Sequence, residues 1–211
     1  TAGQRGYYLM WYHANEGLIA IGPRQGKQQT VVLLDAWLPP TPEKGRDEAL
    51  AELAWRYFRS HSPATVKDYI WWSGLAAAEA RAGLEMVKSR LASETVGKES
   101  YWFAPPLIAD EASPPTAHLL PFLDEYIVAY KDRTAILPTA YNALTDSGNV
   151  IFHAPLLIDG QVAGIWTRKI KKDTVMIEPA LFRSLSDGEQ DALAAATERL
   201  GAFLGLAAEL A

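Results

Sequence analysis

Ser62-Pro63-Ala64-Thr65-Val66-Lys67-Asp68-Tyr69-Ile70-Trp71-Trp72-Ser73-Gly74-Leu75 is the stretch that decides the fold, because it holds a helix stop, a helix start and a turn in succession. His61-Ser62-Pro63 ends whatever helix precedes it, since proline lacks the amide a continuing helix needs. Thr65 with Asp68 three residues on reads as a capping box, in which hydroxyl and carboxylate satisfy the unpaired amides of a helix start. A short helix through Trp72 and a Ser73-Gly74 turn follow. Working back, Leu50, Leu53, Ala54, Tyr57 and Phe58 recur at spacings of three and four from Arg46 onward, which predicts an amphipathic helix. Working forward, Ala80, Leu84, Val87 and Leu91 predict a third helix from about Ala77 to Leu91. Its cap is half missing, with Ala76 in place of serine or threonine and Glu79 at the right offset. Thr95-Val96 and Tyr101-Trp102-Phe103 around Gly97-Lys98 complete the series as a hairpin. Helix, helix, turn, helix, hairpin is the order of a winged helix-turn-helix unit.

The first forty residues repeat the end of that series. Gln4 to Glu16 predicts a helix stopped by Gly17; Leu18 to Ile21 and Thr30 to Leu34 predict strands around a Gly22 to Gln29 hairpin tip. A lone helix and hairpin buries too little to stand alone, so the chain is expected to begin inside a domain, and the absence of an initiator methionine fits a fragment or processed product. Trp37-Leu38-Pro39-Pro40-Thr41-Pro42 reads as a linker. Beyond the hairpin of the second unit, Pro105-Pro106 and Pro114-Pro115 bracket an irregular stretch. Asn149 to Leu157, Val162 to Lys171 and Thr174 to Ile177 then predict three antiparallel strands joined by Asp159-Gly160 and Lys172-Asp173. Ser186 with Glu189 is a second capping box, opening a helix with Leu193, Ala196, Leu200, Phe203 and Leu204 on one face. The expectation is an α+β chain of tandem winged helix-turn-helix units followed by a small antiparallel sheet and a C-terminal helix. Its expected domains are a partial winged helix over 1–42, a complete one over 46–104, and the sheet and helix over 105–211.

Composition narrows the chemistry. The 211 residues are 49% hydrophobic and 21% charged, with no run long and apolar enough for a membrane span and no signal pattern, so a cytoplasmic protein is expected. Zero cysteines exclude thiolate chemistry, and His13, His61, His118 and His153 have no metal-pair spacing; no metal, cofactor or membrane partner is expected. The net charge of −5 argues against a generic polyanion binder, yet the charge segregates. Arg5, Arg24 and Lys27 face only Glu16 across the first thirty-four residues, and Arg168, Lys169, Lys171 and Lys172 form the densest basic run. Asp110, Glu111, Asp124 and Glu125 gather elsewhere.

The run from Arg46-Asp47-Glu48-Ala49-Leu50 through Arg56-Tyr57-Phe58 to the quoted stretch resembles winged-helix proteins related to the AlkZ and YcaQ DNA glycosylases. Gly22-Pro23 with Gly26-Lys27-Gln28, Asp124-Glu125-Tyr126 with Tyr130-Lys131-Asp132-Arg133, and Asp159-Gly160 with Val162 and Gly164-Ile165-Trp166 fit the same family. The resemblance spans essentially the whole chain. It implies a C-shaped stack of winged helices around duplex DNA and hydrolysis of the N-glycosidic bond of alkylated or crosslinked bases. The family's catalytic element is a Gln-x-Gln or Gln-x-Asp motif in an N-terminal winged helix. Here Gln4, Gln25, Gln28, Gln29, Gln161 and Gln190 include no pair with one residue between them. The DNA-clamping scaffold without the dyad is therefore expected, the matching family region lying before Thr1.

The expected DNA-contacting set is Gln4, Arg5 and Tyr8 on one face of the first helix, Arg24, Lys27 and Gln28 on its wing, Lys67, and Arg168, Lys169 and Lys171. Basic hairpin tips also serve solubility, and lysines also guard sheet edges. Asp124 and Glu125 are the only acid candidates for catalysis in this chain; adjacent carboxylates before Tyr126 otherwise cap a helix or pair with Lys131 or Arg133. Consecutive Trp71 and Trp72 cannot share a helix face, so at most one is expected to be exposed as a stacking platform. Two rival functions stand beside glycosylase-type DNA binding: a non-catalytic winged-helix transcriptional regulator, and an interaction scaffold whose basic clusters only solvate it.

Overall fold

In a computed structural model the described residues are 2–40, 42–106, 115–144 and 148–211. Two compact units divide the chain, Thr1–Gly45 and Arg46–Ala211. Asp110, Glu111, Pro114 and Thr41, which the sequence reading used, lie outside the described residues.

In the first unit α1 (Ala2–Asn15) ends where Gly17 takes a left-handed φ of 71°, and the Leu18 amide donates to His13 O at 3.0 Å. Strand β1 (Ile19–Gln25) pairs antiparallel with β2 (Gln28–Leu33), and the register shifts between Gly22 and Gln25. The tip is tighter than the expected Gly22 to Gln29 loop. Side chains bridge the irregularity around Pro23: Gln29 Nε2 donates to Gly22 O at 2.9 Å and the Thr30 hydroxyl to Pro23 O at 2.6 Å. A short helix, α2 (Leu34–Trp37), replaces the last predicted strand residue. Only Gly22 is buried among the described residues of this unit, in line with the small core foreseen.

The second unit opens with α3 (Arg46–Ser60), α4 (Val66–Ser73) and α5 (Ala77–Val87), then the antiparallel hairpin of β3 (Ala92–Val96) and β4 (Glu99–Phe103). Ala54, Tyr57, Phe58, Ala64, Tyr69, Ala80, Leu84 and Val87 form its helical core. Helices α3 and α5 cross closely at Gly83, where an added Cβ would stand 2.8 Å from Leu50 O. Ala64 exchanges both backbone hydrogen bonds with Trp102, at 3.1 and 2.8 Å, so the start of α4 is fastened to the hairpin. Helix α5 stops at Val87 rather than Leu91; residues Lys88–Arg90 tighten into a 3-10 turn, and Arg90 stacks on the Trp55 ring.

The remainder builds a sheet larger than predicted. It consists of β5 (Ala117–Leu119), β6 (Pro155–Ile158), β7 (Gln161–Lys171), β8 (Thr174–Leu181) and β9 (Ala207–Leu210) in that order, with a short helix α6 (Glu125–Val128) after β5 and the long α7 (Asp187–Leu204) before β9. Two corrections follow for the predicted small antiparallel sheet and C-terminal helix. β9 runs parallel to β8, making the sheet mixed, and the helix is not the last element. Gly205, left-handed at φ 67°, ends α7 and turns the chain back along β8. Nor does β6 begin at Asn149: the Asn149 side chain accepts from the Ile151 amide and caps a 3-10 turn over Val150–Phe152. Phe203, placed on the inner face of α7, is 84% exposed; Leu193 and Ala196 are the buried residues of that predicted face.

Candidate nucleic-acid interface

Arg24 lies in the irregular end of β1, Lys27 in the turn and Gln28 at the start of β2, and all are exposed. Gln4, Arg5 and Tyr8, joined by Leu9, line one shallow depression of about 380 Å³ on α1.

Two of the other candidate cations, Lys67 and Lys169, are engaged. Lys67, at the start of α4, holds Glu99 at 2.5 Å, and that hydrogen bond and its charge raise the lysine's pKa. Lys169 binds Glu178 on the neighbouring strand at 2.7 Å, which holds the Glu178 carboxyl below its usual range. Arg168 and Lys171 are exposed on β7.

Asp124 and Glu125 have structural duties. Asp124 accepts from the Tyr126 amide at 2.9 Å and caps α6. Glu125 takes the Trp72 indole N–H at 2.5 Å and stands 3.2 Å from His61 Nε2. Its partners are thus neither Lys131 nor Arg133, because α6 packs its carboxylate toward the end of α3. Between these elements His61 stacks on Tyr57, with ring planes 10° apart, and takes Ser60 Oγ at its Nδ1. Burial pushes the Tyr57 hydroxyl far above its ordinary pKa and the Tyr69 hydroxyl up to about 12, so both stay neutral. Trp71 is the exposed tryptophan, at 54%, but its N–H is bound to Val128 O and Arg133 lies over its ring; Trp72 is half-buried.

Sequence reasoning assigned Arg133 and the tyrosines near it no shared site. Tyr126, Tyr130, Asp132 and Arg133 line a cavity of about 570 Å³ together with Tyr101 and Phe103 of β4. The available signal was the density of aromatic and ionic residues in Asp124-Glu125-Tyr126 and Tyr130-Lys131-Asp132-Arg133, which read there only as a family mark. No group of three or more metal-ligating side chains occurs among the described residues, and no helix among them is long and apolar enough to cross a membrane.

The fold is similar to that of the Streptomyces sahachiroi DNA glycosylase AlkZ, with a TM-score of 0.66 and 18% identity over 92% of this chain. The chain spans 55% of the length of that protein. No curated protein gives a significant match to the sequence. The family model described as DNA glycosylase AlkZ-like matches residues 1–203, and the chain belongs to that AlkZ-like DNA glycosylase family.

Proposed function

We propose that this chain is the DNA-holding portion of an AlkZ-like glycosylase, binding duplex DNA through tandem winged helix-turn-helix units while the excision of alkylated or crosslinked bases depends on a glutamine dyad that these residues lack. The observation that carries the reading is the exposed set Arg5, Arg24 and Lys27 on the helix and hairpin of a chain whose family match runs through both. A glycosidic hydrolysis needs a carboxylate or amide free to orient water and stabilise the developing sugar cation. Asp124 and Glu125 are committed to a helix cap and to Trp72 and His61, which supports a non-catalytic role for them. On this reading the chain by itself releases no base.

Gel-shift titration with duplex DNA at several salt concentrations tests binding, since each phosphate contact releases counterions and steepens the fall of affinity with salt. Salt-steep binding is expected, and no binding at low salt overturns the proposal. Release of 7-methylguanine from methylated DNA by these 211 residues alone would overturn the second half of the reading and return Asp124 and Glu125 to candidacy. Tight binding to one operator sequence, without preference for lesions or bent DNA, would instead make the chain a winged-helix regulator.

A further inference from the structure

The hairpin of the second unit sets a carboxylate beside aromatic rings. Its antiparallel register pairs Glu94 with Tyr101 and Ala92 with Phe103, so strand alternation brings Glu94, Val96, Tyr101 and Phe103 to one face. All four line the 570 Å³ cavity. Tyr126 of α6 and Tyr130 just beyond it add two more rings, each tied to backbone by its hydroxyl: Tyr126 donates to Gly160 O at 2.9 Å and Tyr130 to His61 O at 3.0 Å. With those hydroxyls occupied, the two tyrosines offer a guest mainly ring surface, whose negative face attracts a cation.

The charges of the lining divide into engaged and available groups. Asp68 is engaged, accepting from the Thr65 amide and hydroxyl and from the Lys131 amide. Arg133 is held in the wall: its Nε donates to Ile127 O at 2.6 Å, its Cζ lies 5.6 Å from the Trp71 ring centre, and its Nη2 is buried. Burial lowers this guanidinium's pKa, with the Asp68 charge opposing the change. Asp132 uses only Oδ1, which accepts from the Thr134 amide and hydroxyl at 2.9 and 2.8 Å. Those hydrogen bonds hold its carboxyl below the usual range, so it is ionised at neutral pH, and its Oδ2 has no donor among the described residues. Glu94 is exposed and has no ion-pair partner among them. Two carboxylates and four rings are thus left to a guest, a combination that repels phosphate and suits an organic cation.

We propose that this cavity is a recognition pocket for an arginine side chain presented by a partner polypeptide, whose guanidinium stacks on the tyrosine and phenylalanine rings and gives its N–H groups to Asp132 Oδ2 and Glu94. A guanidinium is flat enough to stack on a ring, carries five donors in a fixed fork and is weakly hydrated, so it matches rings and carboxylates together better than a compact ammonium does. Its methylene stem suits the apolar remainder of the lining, which includes Val96 and Ile136. Free arginine would bring its own α-carboxylate against Asp132 and Glu94; within a polypeptide that charge is absent. The pocket does not depend on the DNA-holding reading, because a nucleotide would set its phosphate against the same two carboxylates.

The test titrates acetyl-arginine N-methylamide into the full 211-residue chain, followed by amide chemical shifts in NMR. Its citrulline and lysine counterparts, free arginine and cytidine are titrated alongside, and duplex binding is measured in parallel by gel shift. The arginine probe is expected to shift residues around 101–103 and 126–136. Citrulline, equally long and flat but uncharged, is expected to bind about tenfold more weakly, the size of one charge-assisted hydrogen bond, and lysine several-fold more weakly. Asp132→Asn, which keeps the oxygen that Thr134 needs, is expected to remove most of the preference for arginine over citrulline. Glu94→Gln, at an exposed position, is expected to weaken the arginine probe several-fold with unchanged melting temperature. Citrulline or cytidine binding as tightly as arginine, arginine affinity indifferent to both substitutions, or no response at the solubility limit overturns the pocket. Free arginine binding more tightly than the capped probe overturns the polypeptide as its source. Intact duplex binding without an arginine response removes the pocket and leaves the DNA reading standing; an Asp132-dependent arginine response without duplex binding does the reverse.

Discussion

Asp68 joins two parts of the second unit that are distant in sequence. One oxygen closes the capping box, accepting from the Thr65 amide at 2.9 Å and its hydroxyl at 2.7 Å, and the other accepts from the Lys131 amide at 2.9 Å and the Asp132 amide at 3.4 Å. A neutral amide in its place turns one acceptor into a donor facing an N–H inside a buried site. Asp68→Asn should therefore destabilise the chain by about 2–3 kcal/mol, the range for losing charge-assisted bonds and stranding a buried donor, as read from urea unfolding. The cap was legible, because Thr65 and Asp68 stand at box spacing; the anchor was not, because nothing in local sequence ties residue 68 to residue 131. The second capping box is acid-sensitive. Glu189 has its pKa held at about 2, first by the Arg183 hydrogen bond and then by the Ser186 amide, against an ordinary 4.5. Its contribution to stability is complete above pH 4.5 and is lost as the pH falls through about 2. Glu189→Gln should flatten the pH dependence of the melting temperature across that window; an unchanged slope would show that the pairing does not hold in solution.

Among elements, the crossing of α3 and α5 sets the sign of a substitution that helix propensity alone would get wrong. Glycine to alanine inside a helix normally stabilises by roughly 0.5–1 kcal/mol. At Gly83 the new Cβ would meet Leu50 O at 2.8 Å and the Ala54 Cβ at 3.4 Å, and a backbone oxygen of a packed helix has nowhere to go. Gly83→Ala should instead destabilise by about 1–3 kcal/mol, the usual range for overpacking, with the helices pushed apart. Gain of stability in thermal melts would mean that α3 and α5 do not cross there. Helices α3, α5 and α7 were legible because each repeats its apolar residues at three and four, and α4 because of its cap; the one-turn α2 and α6 are too short to show such a pattern. β5 and β9 escaped for the opposite reason. Ala117–Leu119 and Ala207–Leu210 are too short for an alternation to emerge, and each is a strand only because β6 or β8 offers it a ladder. Gly201 lets the second of these lie close to α7, since a Cβ there would stand 2.6 Å from the Ala208 Cβ.

Across the whole chain, the engagement of the cations bears on which surface would hold DNA under the function proposed above. Net charge is −5, so DNA affinity must come from local clusters rather than from the overall field. The sequence displayed two clusters, on the first hairpin and on the basic strand, and already favoured the first, because only Glu16 opposes it whereas Lys169 and Lys171 share their hairpin with Asp173; what it could not show is which cation has a partner across a sheet. Lys169 has one in Glu178, and Lys171 lies close enough to help hold that same carboxylate in its ionised form. A duplex would have to compete with Glu178 for the first of these. Arg24 and Lys27 stand exposed on the hairpin, and Lys27 sits in the turn after the left-handed Gly26. Replacing both by alanine should weaken duplex binding irrespective of sequence and reduce the magnitude of the log–log salt slope by about two, roughly one per phosphate contact. Replacing Lys169 and Lys171 together should change the slope by well under one and lower the melting temperature slightly through the loss of the Glu178 pair. Both doubles are compared with the parent chain by affinity at four or more salt concentrations. If the strand pair moves the slope and the hairpin pair does not, the sheet of the second unit is the surface that grips DNA, and the first hairpin only keeps its unit soluble.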